Sequence, residues 1–206
     1  MRALTVVKIG GSLVYHEGGR VLGRLGKEIA RLSMSYSLAI VPGGGPFAEV
    51  VREYGQKLGL GESTCHFMAL SSMDQYAYLL REFIPGSRLL DLGEERTGSQ
   101  LIELASSYPV ILLCSRLISR VPPEDLPLSW DVTSDSIAAY IARVWKARLL
   151  VLLKSVDVVP EIKNTIVDPF FSQAVPPDLR VWIVNGLYPE RLAKLLEAGQ
   201  TEGIYY

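Results

Sequence analysis

Leu4-Thr5-Val6-Val7-Lys8-Ile9-Gly10-Gly11-Ser12 is the stretch on which the fold turns. A short Val/Ile/Leu-rich run ends in two glycines and a serine, the pattern of a buried strand delivering its chain into a tight turn. Four further runs of the same kind follow: Leu38 to Val41, Val110 to Leu113, Leu149 to Leu153 and Val181 to Val184. Each is bounded by Gly, Pro, Ser, Lys or Arg. Near-continuous apolar runs of this length fit strands covered on both faces, as in a mainly parallel sheet.

Between the runs lie amphipathic stretches. Val21, Leu22, Leu25, Ile29 and Leu32 fall on one side of a helix at three- and four-residue spacing. Phe47 to Leu58 repeats the pattern after Pro46, a residue suited to the first turn of a helix. Cys65 to Phe83, Ser134 to Trp145 and Pro189 to Leu196 complete the set, and Val121 to Ser129 and Val159 to Pro177 read as loops. Repeated β-α order with right-handed crossovers predicts a three-layer α/β/α sandwich, α/β in class, with a mainly parallel open sheet. A single domain spanning residues 1–206 is expected, since no linker or repeat divides the chain.

Composition narrows the function classes. The 206 residues are 49% hydrophobic and 21% charged, the balance of a globular chain with a sizeable core. Lys and Arg number 21 against 22 Asp and Glu, and no basic block stands out, so a nucleic-acid partner is not expected. Cys65 and Cys114 lack metal-type spacing, and His16 and His66 are the only histidines, which argues against a zinc site. The N-terminus has no apolar core of a signal peptide, and no apolar stretch approaches the ~20 residues of a membrane span. A soluble cytoplasmic protein is expected.

Three segments carry the chemistry. In Lys8-Ile9-Gly10-Gly11-Ser12, paired glycines bring backbone N–H groups close to an anion, Ser12 adds a hydroxyl and Lys8 a point charge. Taken alone, the pentapeptide equally suits a plain strand-ending turn. Pro42-Gly43-Gly44-Gly45-Pro46 again follows a strand and precedes a helix, whose free N–H groups suit a phosphate. Neither segment has the P-loop or dinucleotide pattern. Two glycine turns on neighbouring strands point to two anionic groups held face to face, the geometry of phosphoryl transfer. In Trp130-Asp131-Val132-Thr133-Ser134-Asp135-Ser136, Ser134 is a candidate N-cap and Asp135 a first-turn carboxylate. Asp135 is also placed to orient cations around a phosphoryl group. Asp131 is a candidate partner for a cationic substrate group, with Trp130 as an aromatic wall.

Lys8–Ser12, Pro42–Ala48 and Thr133–Ala139, in that order, resemble the motifs of the amino acid kinase superfamily. Leu126–Asp135, Val184–Arg191, Met68-Ala69 and Met73-Asp74-Gln75-Tyr76 are similar to a small archaeal branch of it. That branch includes a kinase of methanofuran biosynthesis acting on [5-(aminomethyl)furan-3-yl]methyl phosphate. The resemblance implies an eight-stranded sandwich that moves the γ-phosphoryl of ATP to an acceptor with no covalent enzyme intermediate, Mg²⁺ travelling with the nucleotide. By position, Lys8 and Asp135 are the implied catalytic residues. Gly10, Gly11, Ser12, Lys154 and Asp157 are the implied ATP contacts, and Gly43, Gly44, Gly45, Trp130 and Asp131 face the acceptor. A second phosphate-contacting lysine is implied, with Lys154 and Lys163 as candidates.

The chain departs from relatives at Lys154-Ser155-Val156-Asp157-Val158-Val159-Pro160, where a glycine is lost and the nucleotide-base pocket is altered. Homo-oligomers are common among relatives, so one is expected here, with a small-molecule phosphate as substrate. The leading expectation is a kinase of [5-(aminomethyl)furan-3-yl]methyl phosphate. The alternatives are a uridylate-type nucleoside monophosphate kinase and a non-catalytic anion-binding protein on the same fold. His66, Met68, Met73 and Tyr76 read as core or interface packing on their helix.

Overall fold

The computed structural model describes residues 2–91, 98–162 and 164–206. Seven strands form one sheet: β1 (Leu4–Ile9), β2 (Ser37–Pro42), β3 (Arg88–Asp91), β4 (Val110–Leu113), β5 (Leu149–Lys154), β6 (Arg180–Asn185) and β7 (Ile204–Tyr205). Their order is β3-β4-β2-β1-β5-β6-β7, parallel throughout except for the β6–β7 pair. The helices are α1 (Arg20–Ser33), α2 (Gly45–Leu58), α3 (Glu62–Phe83), α4 (Gly98–Ala105), α5 (Ser115–Ile118), α6 (Ser134–Val144), α7 (Phe171–Ala174) and α8 (Pro189–Ala198), with 3-10 turns at Gly11–Gly19 and Pro160–Ile162.

The five strands and five helices expected from the sequence are present within a few residues of their expected bounds. The sheet has seven strands among the described residues where the resemblance implies eight. β3 and β7, with helices α4, α5 and α7, are additions to the sequence reading, and Val159 to Pro177, read there as a loop, holds the Pro160–Ile162 turn and α7, both too short to show an amphipathic period. β3 and β7 are edge strands with one buried residue and none, whereas each of the central five buries most of its residues.

The two-residue period of a strand sends alternate side chains to opposite faces. Leu4 and Val6 of β1 join Leu150 and Leu152 of β5 in a core with Ile137, Ala138 and Ile141 of α6. Val7 and Ile9 join Val151 and Leu153 in a second core with α1 and α8. Helix α3 supplies both, with Leu70 and Met73 in the first and Tyr76, Ala77 and Leu80 in the second. The same parity puts Lys8, two residues beyond Val6, and Lys154, two beyond Leu152, on the face covered by α6.

Chain order reverses between β1 and β5, since β2, β4 and β3 lie to one side of β1 and β5, β6 and β7 to the other. In open α/β sheets ligands bind outside the carboxyl ends of strands at such a point. Lys8 and Lys154 sit on the two strands that flank it.

Candidate active site

Because β1 and β2 are parallel neighbours, their carboxyl ends open on the same edge, and their two glycine turns meet there. A Cβ on Gly11 would stand 2.3 Å from the Gly45 nitrogen, so the turns touch backbone to backbone and only glycine fits. Gly45 also adopts a φ of +55°, and a Cβ there would lie 2.7 Å from the Tyr76 ring. Gly11 opens the 3-10 turn and Gly45 opens α2, so the leading N–H groups of both have no partner within their own helices. Ser12 Oγ lies 2.9 Å from Ser155 Oγ, tying the first turn to the loop after β5.

Beside this junction the two lysines converge on one carboxylate. Lys8 Nζ lies 2.9 Å from Asp135 Oδ1, and Lys154 Nζ donates to Asp135 Oδ2 at 2.6 Å. Lys8 and Asp135 are buried and Lys154 nearly so. Burial by itself would raise the Asp135 carboxyl, but the two ammonium groups reverse that and hold it below the usual carboxylate range. Burial lowers Lys154 to about 8, with the Lys8 charge adding to the fall and Asp135 opposing it. Asp135 is therefore ionised and committed to two cations, a counter-ion rather than an acid or base.

Asp135 is held in place from a distance. Asp168, on the loop before α7, accepts hydrogen bonds from the Thr133 N–H (2.9 Å), the Thr133 hydroxyl (2.8 Å), the Ser136 N–H (3.0 Å) and the Ser136 hydroxyl. Thr133 occupies the N-cap position that the sequence reading gives to Ser134. The cap itself comes from Asp168, because a buried carboxylate satisfies more orphan donors than one hydroxyl can.

A cavity of about 270 Å³ opens from the glycine junction. Gly11, Ser12, Gly44 and Gly45 contribute to its lining, as do Thr133 and Ser134, and Glu49, Arg52, His66, Met73 and Trp130 are among the other residues around it. The Arg52 guanidinium stacks over the Trp130 ring at 4.4 Å. His66 is buried, which pushes its pKa down, while a hydrogen bond with the Ser129 backbone acts in the opposite sense. Its Nε2 has no hydrogen-bond partner among the described residues.

The structure brings together Lys8, Gly11, Ser12, Gly44, Gly45, Trp130, Asp135 and Lys154, and separates out four other expected residues. Gly10 donates its N–H to the Leu153 carbonyl and Gly43 donates to the Ile9 carbonyl, each at 2.9 Å, so both amides extend the sheet ladder and are not free for phosphate. Asp131 is exposed and absent from the cavity wall, where its neighbour Trp130 stands. Asp157, also exposed, is bonded to Arg191, and that bond holds its carboxyl below the usual range. Lys163 lies outside the described residues.

Glu49, Arg52, His66 and Asp168 are the residues that sequence reasoning misses. For Glu49 and Arg52 a signal existed. They stand four and seven residues after Gly45, on the same face of α2 as the glycine turn. Asp168 carried none, being 35 residues from Thr133 in the chain.

A parallel α/β sandwich with two lysines, a buried aspartate and two touching glycine turns at its switch point is the framework of a phosphotransferase. The chain belongs to the amino acid kinase family, whose model matches residues 3–166. It is 30% identical to the [5-(aminomethyl)furan-3-yl]methyl phosphate kinase of Methanocaldococcus jannaschii, over 93% of this chain and 92% of that protein. Among solved structures it is similar to the uridylate kinase of Archaeoglobus fulgidus, with a TM-score of 0.69 and 19% identity, covering 98% of this chain and 97% of that one. The UMP kinase of Ureaplasma parvum matches with a TM-score of 0.74 at 15% identity, covering 100% and 98%. At these identities the two nucleotide kinases share the fold.

Proposed function

We propose that the chain transfers the γ-phosphoryl group of ATP to the phosphate of a small acceptor. The specific reaction is [5-(aminomethyl)furan-3-yl]methyl phosphate plus ATP giving its diphosphate plus ADP, a step toward methanofuran. The observation that carries this reading is the backbone contact between the two glycine turns beside Lys8, Asp135 and Lys154. One turn serves the nucleotide phosphates and the other the acceptor phosphate, so donor and acceptor face each other across a gap with two cations beside it.

The residues present fit ATP phosphates: two ammonium groups, the leading N–H groups of Gly11 and Gly45, and the Ser12 hydroxyl. Mg²⁺ fits as an ion carried by the nucleotide, where it neutralises phosphate charge, since Asp135 is already engaged by two lysines. An acceptor oxygen forms the new bond to the γ-phosphorus as the bond to the ADP oxygen breaks. No general base is required, because a phosphate monoester is largely ionised at pH 7 with a second pKa of about 6. The protein's part is to position the two groups and to stabilise charge, with Lys8 and Lys154 countering the negative charge of the migrating group. Their own mutual repulsion is balanced by Asp135.

The acceptor is small. A cavity of about 270 Å³ lies just under the ~300–1,000 Å³ common for drug-sized ligands. We also take the chain to form a homo-oligomer, supported by the exposed Phe67, Met68 and Tyr78 on α3, and to work in the cytoplasm, supported by two buried free cysteines.

Purified protein with Mg-ATP, offered the furan phosphate and UMP in parallel, tests the assignment through ADP release. Release with the furan phosphate is the expected result. Turnover of UMP alone establishes the uridylate-type alternative, and ATP binding with no transfer to any acceptor establishes the non-catalytic one.

A further inference from the structure

Helix α2 works as a ruler leading away from the glycine junction. At a rise of about 1.5 Å per residue, Glu49 stands roughly 6 Å and Arg52 roughly 10 Å from Gly45 along the axis, and both line the cavity. Among the described residues Glu49 is the only carboxylate lining the cavity. Tyr15 donates its hydroxyl to Glu49 Oε2 at 2.9 Å, which anchors the exposed side chain, and among the described residues no ion pair engages the other oxygen. Among the described residues no ion pair joins Glu49 to Arg52, because the guanidinium is turned onto Trp130. The cavity thus presents an anchored, cation-free carboxylate one helical turn from where the acceptor phosphate meets the glycine N–H groups.

We propose that Glu49 selects acceptors carrying an ammonium group about 6 Å from their phosphate, through a charge-assisted hydrogen bond at the other carboxylate oxygen. The inference rests on the reading of this cavity as the acceptor site. It gives Glu49 the part that sequence reasoning assigns to Asp131, whose carboxylate stays outside. Glu49 is exposed at the rim of the cavity, so an acceptor lacking a cation simply leaves its carboxylate hydrated and gains nothing at this position.

The test uses binding as well as turnover. Calorimetry without ATP compares ω-aminoalkyl phosphates of increasing length with the matching alkyl phosphates, on wild type, Glu49→Gln and Tyr15→Phe. Wild type binds the amino compounds about two- to fivefold tighter than their neutral partners, as expected for an ion pair at an exposed carboxylate, with an optimum where nitrogen and phosphorus are about one helical turn apart. Glu49→Gln brings that ratio to about one, and Tyr15→Phe lowers it part of the way. Equal binding of amino and neutral compounds by wild type, or a ratio that survives Glu49→Gln, overturns the inference. In kinetic assays the furan phosphate and its hydroxymethyl counterpart give the same contrast in KM. A binding preference with no phosphoryl transfer to the furan phosphate counts against the proposed reaction and leaves the selectivity of Glu49 standing.

Discussion

Replacing Asp135 by Asn keeps the shape of the α6 N-terminus and removes the charge that holds two buried lysines together. The contacts of 2.9 and 2.6 Å are each worth roughly 6 kcal/mol of gross attraction at an effective dielectric of about 20. Most of that offsets desolvation, and removing one partner of a buried pair costs about 3–5 kcal/mol. The variant has one escape, which is to fold with a lysine neutral. From an unfolded lysine pKa of about 10.4, that costs about 5 kcal/mol at pH 7 and about 2 kcal/mol at pH 9. Both routes therefore place the loss near 4–5 kcal/mol at neutral pH.

The pH dependence separates the two. In wild type Lys154 stays protonated below its folded value of about 8, so the pair adds little slope between pH 6 and 8. A variant that folds with a neutral lysine binds one proton fewer than its unfolded chain, so its stability rises with pH by about 1.4 kcal/mol per unit over that window. Urea denaturation of both proteins at pH 6, 7 and 8, with m-values checked for equality, reads the gap directly. A gap that narrows from pH 6 to 8 is the expected result. A loss below about 1 kcal/mol, equal at pH 6 and 8, refutes Asp135 as the buried counter-ion.

Other expectations follow from the same geometry. Lys8→Ala lowers kcat by about 10²–10³ while the dissociation constant for ATP changes far less, since the charge acts on the migrating group; equal losses in single-turnover kinetics and nucleotide titration would mark a purely binding role. For kcat/KM, activity falls as pH rises through about 8 because Lys154 loses its proton there, and Lys154→Arg, always charged, removes that fall even if it lowers the plateau. Asp168→Ala strips the cap from α6 and costs about 2–3 kcal/mol in denaturant melts. It also moves the alkaline limb to lower pH, since the Asp168 charge supports protonation of Lys154. Gly11→Ala forces a methyl to within 2.3 Å of backbone and destabilises by at least about 1–3 kcal/mol, whereas Gly61→Ala, with open space around it, stays within about 0.5.

Legibility in the sequence followed burial and chain locality. β1, β2, β4, β5 and β6 are apolar almost end to end, because helices cover both sides of the sheet there, and the runs declare themselves. β3 carries Arg88 and Asp91 at an edge that demands no such run, and β7 is a two-residue pairing. Lys8 and Lys154 each sit at a strand end in motif-bearing segments, but their convergence on Asp135 depends on β1 and β5 being neighbours, which sequence order hides. Gly10 and Gly43 look like their fellow glycines in the sequence, and only the register of the sheet reveals that their amides are already taken. Asp131 and Glu49 exchange places for a related reason. Proximity to Trp130 in the chain favours Asp131, yet both carboxylates are exposed and it is Glu49, on a helix face, that lines the cavity.

The proposed reaction is a single direct displacement across the two touching glycine turns, in which neither Ser12 nor His66 becomes phosphorylated. The stereochemical course at phosphorus tests this most directly, using ATP with an isotopically chiral γ-phosphate and the furan phosphate as acceptor. The account predicts a product diphosphate with inverted configuration at the transferred phosphorus. Retention would require a phosphorylated enzyme and two displacements, and would contradict it.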